Sequence, residues 1–134
     1  MAGKRFDWAD QMYSVIAQHE SESFAWGAND CCLFVARVLD AMTDSSHAAL
    51  LAEKYSDEQS AIAFIREHGS LAAAVSEFLG APVEKRAVRG DVVLFEGGQG
   101  DAVGICLGSK IVGMGQAGIQ SLGREAIKTV WGIE

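Results

Sequence analysis

The chain has very little proline, no run of basic residues and no long apolar stretch. Only one of its 134 residues is proline and 49% are hydrophobic, a composition that argues against disorder. Lysine and arginine number 11 against 18 acidic residues, so the formal charge is −7. This balance argues against nucleic acid or an anionic membrane surface as the main partner. No stretch approaches the roughly 20 apolar residues of a membrane-spanning helix.

Cysteine is also scarce, and its spacing matches neither a disulfide framework nor a usual metal site. Cys31 and Cys32 are adjacent, so with Cys106 they do not form a disulfide framework. Neighbouring helical cysteines also lack the usual spacing of zinc or iron–sulfur sites, so no metal or cofactor is expected. Residues 1–7 lack the apolar segment of a signal peptide. We therefore expect a single domain over residues 1–134, kept in a reducing cytosol unless it is exported by other means.

The most informative stretch runs from Phe24 to Val38 and contains Asn29 and Asp30 just before an apolar run. The apolar residues recur at the spacing of one helix face: Cys31, Val35, Val38, Leu39 and Met42. Asn29 and Asp30 are both good N-caps, because a short side-chain oxygen accepts a first-turn N–H. Cys31 then falls in the first turn, where free N–H groups and the helix dipole favour a thiolate. Two interpretations stay open, a reactive nucleophile or a small hydrophobe in the core.

Helical patterns fill the first 80 residues, apart from short polar links. Ser56 and Gln59 fit a capping box, and Gly69 suits the end of the helix that follows them. Besides the central helix, helices are predicted over residues 7–18 with Asp7 as cap, over 48–54, between Ser56 and Gly69, and between Ser70 and Gly80.

Short β-branched runs separated by glycine replace the helical pattern after residue 80. Strands are predicted over residues 92–95, 102–107, 110–112 and 129–133, with a tight turn at 108–109 between the second and third. Helices first and strands second indicate an α+β fold. In it, a helical part (1–80) packs on a small antiparallel sheet formed within 81–134.

Four segments in this order resemble NlpC-type cell-wall cysteine peptidases. They are Trp26-Gly27, Asp30-Cys31, the Gly-Asp strand at 90–95 and the Val-Gly-Ile strand at 103–108. The resemblance implies a papain-like fold whose cysteine cuts peptide bonds in peptidoglycan stems. Residues 24–35, together with Tyr55 and Trp131, further resemble an uncharacterised phage-encoded branch associated with siphophage tail gene clusters.

The chain departs from the active members of that family at the general base. In those members a histidine immediately precedes the Val-Gly-Ile segment, and here that position is Ala102. The next strand normally supplies a polar residue that orients the base, but residues 111–114 carry no polar side chain. His19, His47 and His68 lie elsewhere and are interpreted as surface residues, with His19 on the helix that could pack nearest to Cys31.

The resemblance and its departure together predict a catalytically degenerate protein. It is expected to be a structural or assembly component of a phage tail tip or baseplate, made in the cytoplasm and carried in the virion tail beside other tail proteins. The alternative is an active cysteine peptidase or amidase that cleaves peptidoglycan stem peptides with a base from a non-standard position. The site is expected to contain Cys31, its N-cap Asp30, the vacant base position Ala102, and the groove candidates Trp26, Gly27, Asp91 and Asp101.

Overall fold

Helices and strands occupy separate halves of the chain. The computed structural model describes residues 3–98 and 100–133. Within them, the helices are α1 (Trp8–His19), α2 (Cys31–Thr43), α3 (His47–Ala52), α4 (Glu58–His68) and α5 (Leu71–Leu79). The strands are β1 (Val92–Gly97), β2 (Gly100–Cys106), β3 (Lys110–Gly115), β4 (Gly118–Gly123) and β5 (Ile127–Trp131), with a 3₁₀ turn at Arg124–Ala126. The predicted α+β class is confirmed, and no helix in these residues is long and apolar enough to cross a membrane.

The five strands form one antiparallel sheet in the order β4-β3-β2-β1-β5. Val92 lies opposite Ile105, and Phe95 lies opposite Ala102, so β1 and β2 are antiparallel neighbours in the sheet. The prediction missed β4, which pairs with β3 from Gly118 to Gly123. It also placed the last strand at 129–133, whereas β5 covers Ile127–Trp131.

Hydrophobic clusters lie on both faces of the sheet. Because consecutive side chains of a strand point to opposite faces, each position belongs to one of the two clusters. One face packs against α1 and α2 and includes Leu94, Val103 and Ile105. The other face forms a second cluster that includes Phe95 and Cys106, with Ala102 packed against it. Consecutive side chains of β2 therefore pack into different hydrophobic clusters.

Helix α2 is the central element of the helical half. The helix begins at Cys31, as predicted, and its N-cap Asp30 accepts a hydrogen bond from the Leu33 N–H at 3.0 Å. Its buried residues are Leu33, Phe34, Val35, Ala36, Val38, Leu39, Met42 and Thr43. Several of them share a cluster with the sheet residues Val103 and Ile105, so the prediction of a buried helix packed on the sheet is confirmed.

Two of the predicted caps differ in the structure. The capping box of α4 is formed by Asp57 and Ser60, one residue later than the predicted Ser56 and Gln59. Asp57 accepts the Ser60 N–H at 2.8 Å, while the Ser60 hydroxyl accepts the backbone N–H of Asp57 at 3.2 Å. Asp7 precedes α1 but makes no cap hydrogen bond, because its carboxylate is paired with the Arg5 guanidinium at 2.9 Å.

Candidate functional site

Asp30 fixes the turn that leads into α2. Its side chain is 1% exposed, and the carboxylate accepts hydrogen bonds from the Gly27 N–H (3.0 Å), the Leu33 N–H (3.0 Å) and the Tyr55 hydroxyl (2.8 Å). Burial raises the pKa of Tyr55, with the nearby Cys32 and Asp30 adding to the effect, so the hydroxyl stays protonated and donates. The carboxylate of Asp30 is therefore engaged in holding three parts of the chain together.

Glycine at position 27 is explained by the backbone conformation and by close packing. Its φ is +78°, a conformation that glycine adopts without strain, and a Cβ there would lie 2.2 Å from the carbonyl oxygen of Ser56. The turn before α2 can pack directly on the segment after α3 only because this position has no side chain. Gly27 was a groove candidate from the sequence, and the structure gives it a packing role.

Cys31 is the more acidic thiol of the adjacent pair. Both side chains are partly buried. The hydrogen bond from the Cys32 thiol lowers the pKa of Cys31, and the Val103 backbone N–H acts in the same direction, against burial and the charge of Asp30. The same hydrogen bond and burial raise the pKa of Cys32 well above its ordinary value. The first turn of α2 thus favours a thiolate at Cys31 alone.

His19 is buried, so its interpretation as a surface residue was wrong. The side chain is 4% exposed, and its ring packs edge-on against Phe34 at 5.4 Å between centroids. Nδ1 lies 2.9 Å from the Val15 carbonyl oxygen, and Nε2 lies 3.3 Å from the Arg37 guanidinium. Nε2 also lies 3.9 Å from the Glu22 carboxylate. Both nitrogens are therefore engaged away from Cys31.

The other two histidines also have partners of their own, although His47 is one of the residues that line a cavity beside Cys31. His47 Nδ1 lies 2.9 Å from the Ser45 hydroxyl and 3.3 Å from the Asp40 carboxylate, so serine and aspartate meet at one ring nitrogen and form no relay across the ring. His68 Nδ1 donates to the Phe64 carbonyl at 2.9 Å. Within residues 3–98 and 100–133, no histidine nitrogen is hydrogen-bonded to the sulfur of Cys31.

Ala102 does not border Cys31. It lies opposite Phe95 in the sheet and packs with the cluster on the face away from α2. Its neighbours Asp101 and Val103 are the β2 side chains that lie beside a cavity lined by Cys31. A histidine placed at residue 102 would therefore point away from the thiol. The sequence could locate the strand, but it could not show which of its faces meets the cysteine.

The remaining groove candidates separate into two groups. Asp91 is 1% exposed and accepts hydrogen bonds from the Val88 N–H at 3.0 Å, from the Ile133 N–H at 3.1 Å and from Lys85. This carboxylate ties the start of β1 to Ile133 and is not among the residues that line the cavity beside Cys31. Trp26 and Asp101, in contrast, line the same cavity as Cys31.

That cavity is the feature that sequence reasoning missed. It has a volume of about 110 Å³, is lined almost entirely by apolar groups, and lies between α2 and the hairpin of α4 and α5. The only signal in the sequence is a set of small residues, Ala36, Ala61 and Ala74, on the facing sides of these helices. Among the residues that the structure describes, no group of histidine, cysteine, aspartate and glutamate could hold a metal ion.

Comparison with known proteins places the chain in a family without assigning it a chemistry. A search of curated proteins finds no match to the chain. A family model described as a domain of unknown function, DUF6950, matches residues 4–133, which is almost the whole sequence. The chain therefore belongs to the DUF6950 family.

Proposed function

We propose that this protein is a catalytically degenerate relative of the NlpC-type papain-like peptidases, serving as a structural or assembly component of a phage tail tip or baseplate. The observation that carries the proposal is the state of Cys31. The thiol lies at the start of α2, where the resemblance puts the nucleophile, and its pKa is lowered, but no described histidine is bonded to it. The tail assignment is supported by the resemblance of residues 24–35 to the phage-encoded branch.

The group missing beside Cys31 is a general acid–base residue, which peptide cleavage requires. A helix N-terminus can favour a thiolate, but it cannot protonate the amine that leaves when a peptide bond is cut. General acid–base help contributes typically about 10²–10⁴-fold to such reactions. Asp30 cannot supply it, because its carboxylate already accepts three hydrogen bonds. Asp101 is ion-paired with Lys128 at 2.5 Å.

The second candidate function is an active cysteine peptidase or amidase on peptidoglycan stem peptides. The lowered pKa of Cys31 and the cavity beside it favour this alternative. It requires a histidine to reach Cys31 after a rearrangement. His47 lines the cavity, but its Nδ1 is held by Ser45 and Asp40. His19 would have to lose its hydrogen bonds with Val15 and Arg37 and leave a buried site.

Incubation with purified peptidoglycan separates the two functions. We expect no release of stem-peptide fragments by mass spectrometry, from either the unmodified protein or Cys31→Ala. Fragments that the unmodified protein releases and Cys31→Ala does not would overturn the degenerate assignment. His19→Gln would then be the next variant to assay.

The assembly role is tested separately, in phage particles that encode this chain. We expect mass spectrometry of purified particles to find the protein at a fixed ratio to other tail proteins. Absence from both the particles and their tail-assembly intermediates would contradict the tail assignment, whatever the outcome of the peptidoglycan assay.

A further inference from the structure

The cavity beside Cys31 is an unfilled space inside the helical half. Its walls include Cys31, Val35 and Leu39 from α2, Ala61 and Ile65 from α4, and Ala74 from α5. An empty cavity in a core destabilises a protein in proportion to its volume, because the lining atoms lose contacts that a larger side chain would supply. Leucine in place of either alanine would fill part of this space, yet the chain keeps alanine at both positions.

Water is a poor occupant of this space. An ordered water needs two to four polar partners, and an apolar cavity without them stays dry. Three polar groups on the wall have partners: the Tyr55 hydroxyl donates to Asp30, the Asp101 carboxylate is paired with Lys128, and His47 Nδ1 lies 2.9 Å from the Ser45 hydroxyl. No buried side-chain nitrogen or oxygen in the described part of the chain lacks a hydrogen-bond partner.

The cavity reaches the surface on the side of the thiol. Asp101 is exposed and Trp26 is half-buried, and both belong to its lining. The outer wall is also lightly anchored, because α4 buries only Ala61, and α5 buries only Leu71 and Ala74. A ligand therefore has an opening beside Cys31, and few buried side chains anchor the outer wall of the cavity.

We propose that this cavity binds a small uncharged apolar ligand, an aliphatic or aromatic group about the size of a benzene ring, in contact with Cys31. A cavity of about 150 Å³ lined by leucine, isoleucine and phenylalanine binds benzene or xenon, which sets the size of occupant for a space of this kind. The lining is almost entirely apolar, so a charged ligand would lose its hydration on entry with few polar groups to replace it. The binding site does not depend on whether Cys31 is catalytic.

Benzene is the probe, and two leucine variants on one helix provide the matched test. Ala61→Leu fills the cavity, whereas Ala63→Leu makes the same change at an exposed position of α4. We expect benzene to raise the Tm of the unmodified protein and of Ala63→Leu progressively with concentration, and to leave the Tm of Ala61→Leu unchanged. An equal rise in all three proteins, or no rise in the unmodified protein at saturating benzene, overturns the proposal.

A second readout uses the thiol itself and needs no core substitution. Benzene in the cavity covers Cys31, so it should slow alkylation of Cys31 by iodoacetamide in proportion to the occupied fraction of the unmodified protein. An alkylation rate that stays constant up to saturating benzene contradicts the placement of the ligand. If Ala61→Leu fails to fold, Ala74→Leu on the facing helix replaces it, with exposed Ala73→Leu as its control.

Discussion

Asp30 has a structural role that does not depend on any chemistry of the site, since three separate segments donate to one buried carboxylate. Removing it takes away a helix cap and leaves the Tyr55 hydroxyl and the Gly27 N–H without their acceptor. We expect Asp30→Ala to lower the free energy of unfolding by about 3 kcal/mol and Tyr55→Phe, which removes one donor, by about 1 kcal/mol. Urea unfolding measures both, and equal losses would show that Tyr55 alone accounts for the effect.

Gly27 allows a second test of the packing around the turn before α2. A methyl group there meets the Ser56 backbone at 2.2 Å, while the same group at Gly69, where φ is +97°, meets nothing within 4 Å. Gly69→Ala should therefore cost only the backbone strain, about 1–2 kcal/mol. Gly27→Ala adds a clash with backbone that cannot rotate away, so we expect the larger loss in thermal unfolding. A Gly27→Ala variant as stable as Gly69→Ala would mean that the turn does not contact the segment after α3.

The two adjacent thiols make a prediction about acidity. The hydrogen bond from Cys32 is the main cause of the lowered pKa of Cys31, so Cys32→Ala should raise that pKa. Cys32→Ser keeps a donor and should leave the pKa closer to its present value. The pH dependence of iodoacetamide labelling, read peptide by peptide, gives the midpoint for Cys31. We expect this midpoint below 9.0, the ordinary thiol value, in the unmodified protein. Identical midpoints in the two variants would remove Cys32 as the cause.

The sequence predicts the position of a residue well where that position depends on its neighbours in the chain. It predicts the position poorly where tertiary packing decides it. Asp30 and Cys31 were placed correctly, because a cap and a first turn depend on a few neighbouring residues. The burial of His19 and the outward direction of Ala102 depend on how α1 meets α2 and on which sheet face meets α2. Neither relation is encoded in the spacing of residues along one segment.

At the scale of elements, the helices were the easier prediction. Each of them shows a periodic apolar face or a clear cap, so the five predicted helices are found within about two residues of their expected ends. Strand β4 was missed because Gly118–Gly123 has apolar residues at Ile119 and Leu122, a spacing that does not alternate. Its pairing with β3 is what holds it as a strand.

The helices differ in how firmly they are packed, and this predicts their local stability. Eight residues of α2 are buried, against one residue of α4. Backbone amides in α2 should therefore exchange with solvent only on global unfolding, while those in α4 should exchange through smaller openings. Hydrogen exchange measured by mass spectrometry compares the two helices in one experiment. Equal protection would show that α4 does not open separately, and would weaken the case for a lightly anchored cavity wall.

At the scale of the molecule, one helix joins the sheet core to the helical core and also carries the thiol. Helix α2 contributes Val35 and Val38 to the cluster that it shares with the sheet, and Leu33 and Ala36 to the cluster that it shares with α3 and α4. A charge at Val35 would be buried without a partner, so Val35→Asp should prevent folding, whereas Cys31→Ser should be nearly neutral. Circular dichroism distinguishes these outcomes, and equal tolerance of the two changes would contradict the packing of α2.

The stability of the whole molecule should fall at acid pH through its aspartates. Burial raises the pKa of Asp40, but hydrogen bonds from His47, the Ala48 N–H and Ser45 together bring it below the ordinary 3.8. Hydrogen bonds lower three other carboxyl pKa values in the same way: those of Asp7, Asp57 and Asp101. A carboxyl group whose pKa is lower in the folded state binds fewer protons there, so its stabilisation is present above pH 3.8 and is lost as the pH falls through the folded value.

Asp40→Asn isolates the part of this effect that comes from Asp40, which joins α2 to the first turn of α3 through the N–H groups of His47 and Ala48 at 2.7 and 3.0 Å. The variant should have a lower Tm at pH 7, since an amide has a single oxygen to accept these bonds and no charge to strengthen them. Its Tm should also fall less steeply below pH 4 than that of the unmodified protein, because one titrating group is gone. Thermal unfolding between pH 7 and pH 2 measures both differences. Parallel curves over the whole range would show that the Asp40 carboxylate contributes nothing to acid unfolding.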